Sequence, residues 1–535
     1  MERVQRNVRL PLFFFVTSLL VTYSLHSQSA SPQTAGLEKL DLSIVEKIRD
    51  EGLNRSHIPE DARYLMDVIG PRLTGSPAMK RANEWTAQKM REYGLENVHL
   101  EPWEFGRGWQ EISYFGRMTE PFIRPLSGRS LAWTGSTKGL QSGPAVIVKA
   151  RSVADLDLPK DVRNLKGAWI LVNEAGEPRN PSFDPVPLRR SLEELLAPPD
   201  SSQQKPVGPT EEERRRDIEE FQHYLGFQIK LRESGALGIL RRSSRMDGII
   251  RGSSILGDAV GSLINPGGPE TLPNIMLADE DYSLIYRNAA SGIPVTLEFN
   301  IQNRFPVDDM MAYNTIGETQ GTDKRHEVVI LGAHLDSWHM GTGGTDNGAG
   351  SMVTLEVMRI LKTIGVQPRR TIRIALWSGE EPELPERDLL GSSAYVETHK
   401  DELNKISVYL NLDRGSGRIR GIYSQMNPFA IPIFEQLFRP FRDLGVVAVR
   451  DENSGGSDHV TFDRVGVPSF YFIQDLMERE KNEQARKMHH TNIDTYDALI
   501  LDDLKQAAVV VGSTVYHLAM RDEMFPRKAK AGVGR

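Results

Sequence analysis

The residue types that bind metal and move protons gather in the C-terminal half: His334, Asp336, Asp346, Glu380, Glu381, Asp413, His489 and His490. The sequence contains no cysteine, so thiol nucleophiles, thiolate metal sites and a disulfide framework are excluded. Any metal must sit on His, Asp and Glu. Two imidazoles and three carboxylates without sulfur suit zinc or a similar divalent cation, and that count matches two metals sharing one carboxylate. The adjacent Glu380 and Glu381 make sense if one binds metal while its neighbour stays free as a general base. Singly, each residue has a plainer reading: His334 a hydrogen-bonded core histidine, Asp346 a helix N-cap, the glutamates a solvated turn, Asp413 a turn former. Their joint placement argues against those readings. The glycine-rich turn Gly343–Gly350 around Asp346 resembles a phosphate cradle, but no lysine follows it at the spacing a nucleotide loop requires.

The elements that must carry these residues are strands. His334 follows the apolar run Val328–Leu331, the two glutamates follow Thr371–Trp377, and Asp413 follows Ile406–Leu412; Val467–Ile473 is a further strand. Amphipathic helices fall at Gly350–Ile364 and Leu499–Met520, with His489 and His490 just before the second. This alternation predicts an α/β domain, a mostly parallel or mixed sheet sandwiched by helices, in which ligands bind beyond the carboxyl ends of the strands. Ile44–Met90 has helical spacing broken by a loop at Gly70–Pro77, and a first strand is expected within Gly94–Phe105. Residues 131–302 have a different texture, with short strands such as Ala145–Val148 and Ala168–Val172, and form an inserted β-rich domain. Within it, the polar stretch Glu211–Asp217 reads as a solvated loop leading into a helix. The catalytic domain is therefore discontinuous, 37–130 and 303–525, followed by a basic tail at 526–535.

At 535 residues the chain is long enough for more than one folded unit. A net charge of −7 offers no attraction to phosphate, so nucleic acid is excluded as a partner. Arg3, Arg6 and Arg9 precede the apolar run Leu10–Leu25, then Ser27, Ser29 and Ala30, which reads as an export signal over residues 1–29. The run contains Pro11, Thr17, Ser18, Thr22 and Ser24, so a retained membrane anchor is the weaker alternative. The expected location is secreted or periplasmic, with no stable membrane span after cleavage.

Five motifs in order, Ala333-His334-Leu335-Asp336-Ser337, Gly344–Gly350, Trp377–Glu381, Asn411-Leu412-Asp413 and His489-His490-Thr491, resemble the dizinc exopeptidases. That family includes bacterial leucyl aminopeptidases, glutamate carboxypeptidase II and carboxypeptidase Q. The resemblance implies two zinc ions per chain, with His334 and Glu381 on one, Asp413 and His490 on the other, and Asp346 bridging. It implies Glu380 as general acid/base, Asp336 as the carboxylate that orients His334, and a cis peptide after Asp346. Asp458 and His459, within Ser454–His459, resemble a stretch lining the substrate pocket. The insert resembles a protease-associated domain that roofs the active site.

Two features depart from the family. The stretch Pro382–Asp388 is longer than usual, and His489 stands where many relatives place a tyrosine that stabilises the oxyanion. The resulting expectation is a zinc aminopeptidase acting on peptides or dipeptides, with a homodimer entertained as the assembly. A carboxypeptidase Q-like carboxypeptidase or dipeptidase is the alternative, and His489 joins Asp458 and His459 as a pocket residue. A non-catalytic receptor-like ectodomain fits poorly, because such proteins lose the metal ligands that this chain keeps.

Overall fold

In this computed structural model, an eight-stranded sheet carries the site. Its strand order is Glu96–Glu104, Met311–Thr319, Arg370–Trp377, Lys324–His334, Ile406–Asn411, Ser469–Gln474, Ile419–Tyr423 and Ala448–Arg450. The structure describes residues 38–148, 165–175, 189–198, 210–306, 308–384, 387–475 and 488–528, all within one compact unit, Leu37–Arg535. The expected export signal and most of the basic tail lie outside the described residues. Among the described residues no helix is long and apolar enough to cross a membrane.

The four central strands run parallel, from Arg370–Trp377 to Ser469–Gln474. Both faces of the sheet are covered, which is why these strands are nearly continuous apolar runs and every residue of Ile406–Asn411 is buried. Val329, Leu331, Val408 and Leu410 pack beneath Ala349–Thr363, Leu501–Met520 and Leu42–Asn54, whereas Ile330, Trp377 and Tyr409 face Tyr395 and Phe462 on the other side. Antiparallel strands flank this centre, so the sheet is mixed. The helical N-terminal stretch resolves into Leu42–Asn54, Ile58–Ile69 and Pro77–Glu92, the last capped by the Ser76 side chain with Pro77 in its first turn.

A second eight-stranded sheet holds most of the expected insert, but it starts earlier than residue 131. Gln110–Glu120 pairs antiparallel with Thr296–Arg304 along its whole length, and Gly128–Ser130 pairs with Asn274–Leu277. The layer thus begins at Gln110 and closes on the strand that crosses the expected boundary at 302. No change of composition marks that start; only the ladder with a partner far along the chain does. Glu211–Glu233 is a full helix from its first residue, because Thr210 and Glu213 form a capping box there. Trp133, Ile250 and Ile255 of this layer share one core with Trp103, Trp338 and Leu390 of the first.

Candidate metal centre

Strand register explains how the donors meet. Gly332 pairs with Asn411 on the neighbouring parallel strand, so His334 and Asp413, each two residues further on, emerge side by side with Nε2 and Oδ1 3.2 Å apart. On its other side His334 pairs with Trp377, and Glu380 and Glu381 lie beyond that point, past a turn at Gly379. Gly379 has φ +79°, and a Cβ there would meet the Trp103 ring at 2.7 Å, so the turn requires glycine. Glu381 is carried toward His490, its Oε2 3.0 Å from the His490 Nε2. Asp346 lies between, 3.3 Å from His334 Nε2 through Oδ1 and 3.4 Å from His490 Nε2 through Oδ2.

The closest contacts therefore pair the donors differently from the sequence expectation: His334 with Asp413, and Glu381 with His490, across Asp346. The resemblance implied the other pairing; the strand order sets Lys324–His334 next to both Arg370–Trp377 and Ile406–Asn411, and the distances favour His334 with Asp413 and Glu381 with His490.

Asp336 occupies the orienting position. Its carboxylate accepts from Thr74 Oγ1 at 2.6 Å and from the backbone N–H of Glu381 at 3.3 Å and Glu380 at 3.4 Å, and lies 3.5 Å from His334 Nδ1. The peptide between Asp346 and Asn347 is cis. Two residues that the motifs did not single out hold the Asp346 loop. Asp494 accepts from Thr345 N at 2.6 Å, Thr345 Oγ1 at 2.7 Å and Asp346 N at 3.2 Å. Arg72 is fully buried and donates to the carbonyls of Leu335, Thr342 and Gly343 at 2.7, 2.7 and 2.8 Å. Asp494 stands within the His489–Asp494 stretch and was legible as a neighbour of the motif; Arg72, alone in a Pro-Arg-Leu loop, gave no signal.

Burial dominates the electrostatics. It pushes Glu381 up to about 8, helped by Asp346, and Asp494 up to about 7. Burial and the neighbouring Asp413 hold Glu380 well above the usual carboxylate range despite His334 nearby. Burial would lower His334, but Asp413 and Glu380 override it and raise the imidazole. The donor set thus crowds carboxyl groups in a buried site, where a divalent cation would favour their ionised forms. Its spacing fits as well: tetrahedral zinc with ligand bonds of about 2.0–2.1 Å sets donor atoms roughly 3.3 Å apart, and the four contacts above measure 3.0–3.4 Å.

His489 stacks on His490 with centroids 3.7 Å apart, but its Nε2 is 3.7 Å from Asp346 and its side chain is 42% exposed against 7% for His490. Burial and the contact with Glu381 single out His490 of the pair. Asp458 and His459 lie behind the donors, Asp458 close enough to Glu380 to raise its proton affinity. Both are fully buried; His459 Nε2 bonds the Ser454 carbonyl at 2.6 Å, and its ring stacks on Tyr471, whose hydroxyl donates to the Asp413 carbonyl. Burial lowers His459 to about 4, so it is a neutral core histidine behind the site.

Residues 314–515 match the model of Peptidase family M28. Carboxypeptidase Q of Mus musculus is 26% identical over 89% of this chain and 87% of its own length. The chain thus resembles the dizinc exopeptidases of peptidase family M28. That likeness supports a zinc metallopeptidase of the exopeptidase type. The chain's fold is shared with the peptidase M28 precursor of Shewanella amazonensis, at TM-score 0.64 and 24% identity over 91% of this chain and 99% of the other. The zinc aminopeptidase of Bacillus subtilis shares it at TM-score 0.55 and 19% identity over 87% and 95%.

Proposed function

We propose that this chain is an exported two-zinc exopeptidase that removes a residue from the C-terminus of short peptides, dipeptides included. The observation that carries the direction is Arg251. The second layer lays its guanidinium against the metal centre, Nη2 3.4 Å from His489 Nδ1, while His489 Nε2 is 3.7 Å from Asp346. Among the described residues the buried Arg251 Nε has no hydrogen-bond partner. A cation one side chain from the metals suits a substrate's free carboxylate. The near full-length likeness to carboxypeptidase Q supports the same direction.

His334 and Asp413 would hold one zinc, Glu381 and His490 the other, and Asp346 both. Bound there, zinc supplies Lewis-acid polarisation of the scissile carbonyl and acidifies water. Glu380, 3.9 Å from His334 and with a raised proton affinity, takes the proton of the attacking water and delivers it to the leaving amine. Asp336 fixes the imidazole of His334 and the turn that presents Glu380. His489 and Arg251 bind the substrate carboxylate and set which bond lies over the metals. The second layer, protease-associated in character, roofs the site and limits substrate length.

Hydrolysis of N-blocked dipeptides, their C-terminal amides and aminoacyl-anilides tests the direction. Cleavage of N-blocked dipeptides with a free carboxylate, strongly weakened on amidation, is the expected result. Cleavage of anilides alone would establish an aminopeptidase instead.

A further inference from the structure

The two halves of the centre are anchored in different parts of the molecule. His334 and Asp413 hang from adjacent parallel strands of one sheet, in register, with Asp336 behind the imidazole. His490 sits on a loop and not at a strand end. Its loop is paired instead with the second layer: Gly252 N donates to the His490 carbonyl at 3.1 Å, and Asn492 N donates to the Ile250 carbonyl at 3.0 Å. The Asn492 side chain closes the same rung, its Oδ1 accepting from Ile250 N at 2.8 Å, and Arg251 and Thr491 form an antiparallel bridge between these contacts. This pairing holds His490 at φ +57°, a left-handed conformation that a non-glycine residue adopts only when its surroundings impose it. Further along the same segment, Asp258 sets its Oδ1 3.5 Å from His490 Nδ1, the ring nitrogen turned away from Glu381.

Glu381, the other donor of this half, leads into a strut to the same segment. Glu383 N donates to the Asp258 carbonyl at 2.8 Å, and Val260 N donates to the Glu383 carbonyl at 2.9 Å. The long stretch Pro382–Asp388, unusual for the family, thus has a structural consequence: its start is tied to the loop that carries Asp258.

We propose that Asn492 and Asp258 are positioning residues for the Glu381–His490 half of the centre, so that zinc binding there depends on the second layer and zinc binding at His334–Asp413 does not. This assignment rests on the two-zinc reading above. Outer partners of a metal-bound imidazole change affinity by about 10- to 100-fold when removed.

The test is zinc content and competitive zinc titration of the full chain, wild type against Asn492→Ala, Asp258→Ala and Asp258→Glu, with His490→Ala marking complete loss of that half. Thermal unfolding of the chelated proteins checks the fold. Two zinc ions in the wild type, one retained at wild-type affinity in Asn492→Ala and Asp258→Ala with the other weakened at least tenfold, partial recovery in Asp258→Glu and unchanged unfolding of the chelated proteins are expected. Two zinc ions bound at wild-type affinity in both alanine variants would overturn the proposal, as would equal weakening of both ions with the chelated fold intact. A wild type that holds fewer than two zinc ions would instead remove the two-zinc reading itself.

Discussion

The catalytic sheet and the second layer reach the same centre by different means. The sheet delivers His334, Asp413 and the Glu380–Glu381 turn from the ends of buried parallel strands, where register fixes each position to within a residue. The second layer contributes no donor to the expected ligand set, yet it pairs with the His490 loop and supplies Arg251, Asp258 and part of a shared aromatic core. Chemistry thus depends on the first layer, and selection of the substrate and retention of one half of the centre depend on the second.

Substitutions on the two sides should therefore fail in different ways. The largest effect belongs to the first layer: chelation should bring hydrolysis to background, and Glu380→Gln should lower kcat on the order of 10²–10⁴-fold while zinc content stays at the wild-type level. Loss of zinc in Glu380→Gln would make that carboxylate a ligand. Next, Arg72→Met leaves three buried carbonyls without their donor and should cost roughly 3–5 kcal/mol of stability, read by denaturant unfolding.

On the second layer, Arg251→Ala should lower kcat/KM for substrates with a free carboxylate roughly 30- to 100-fold, about 2–3 kcal/mol, and leave amidated substrates unaffected. An equal loss on both classes would move Arg251 from recognition to architecture. The smallest effect is one of pH. His339 lies between the layers, its Nε2 2.7 Å from the Ser130 carbonyl and its ring against Trp109, and burial lowers it to about 3. Its folded value lies below its unfolded value, so the stability gained by keeping it neutral is complete above about pH 6.5 and is lost as pH falls toward 3. His339→Gln should reduce the slope of stability against pH in that window by up to about 1.4 kcal/mol per pH unit; an unchanged slope would place the acid sensitivity elsewhere.

His334, Glu381 and Asp413 were legible because each follows an apolar run long enough to be a buried strand, such as Val328–Leu331 or Ile406–Leu412, and the glycine turn around Asp346 is a local signal. Which donor meets which was not, because pairing depends on spatial strand order, and the chain places its His334 strand between two that follow it. Arg251, Asp258 and Asn492 escaped notice for the same reason: the contacts of the second layer with the His490 loop span more than two hundred residues. The start of the second layer at Gln110 is likewise a property of its ladder with Thr296–Arg304. Asp458 and His459 are fully buried, and sequence alone does not separate a buried polar residue from a pocket residue.

Anomalous diffraction at the zinc absorption edge, from crystals of zinc-loaded protein, tests the central arrangement most directly. Two peaks are expected, one between His334 and Asp413 and one between Glu381 and His490, with Asp346 touching both. A single peak, or a peak bound by His334 together with Glu381, would contradict it.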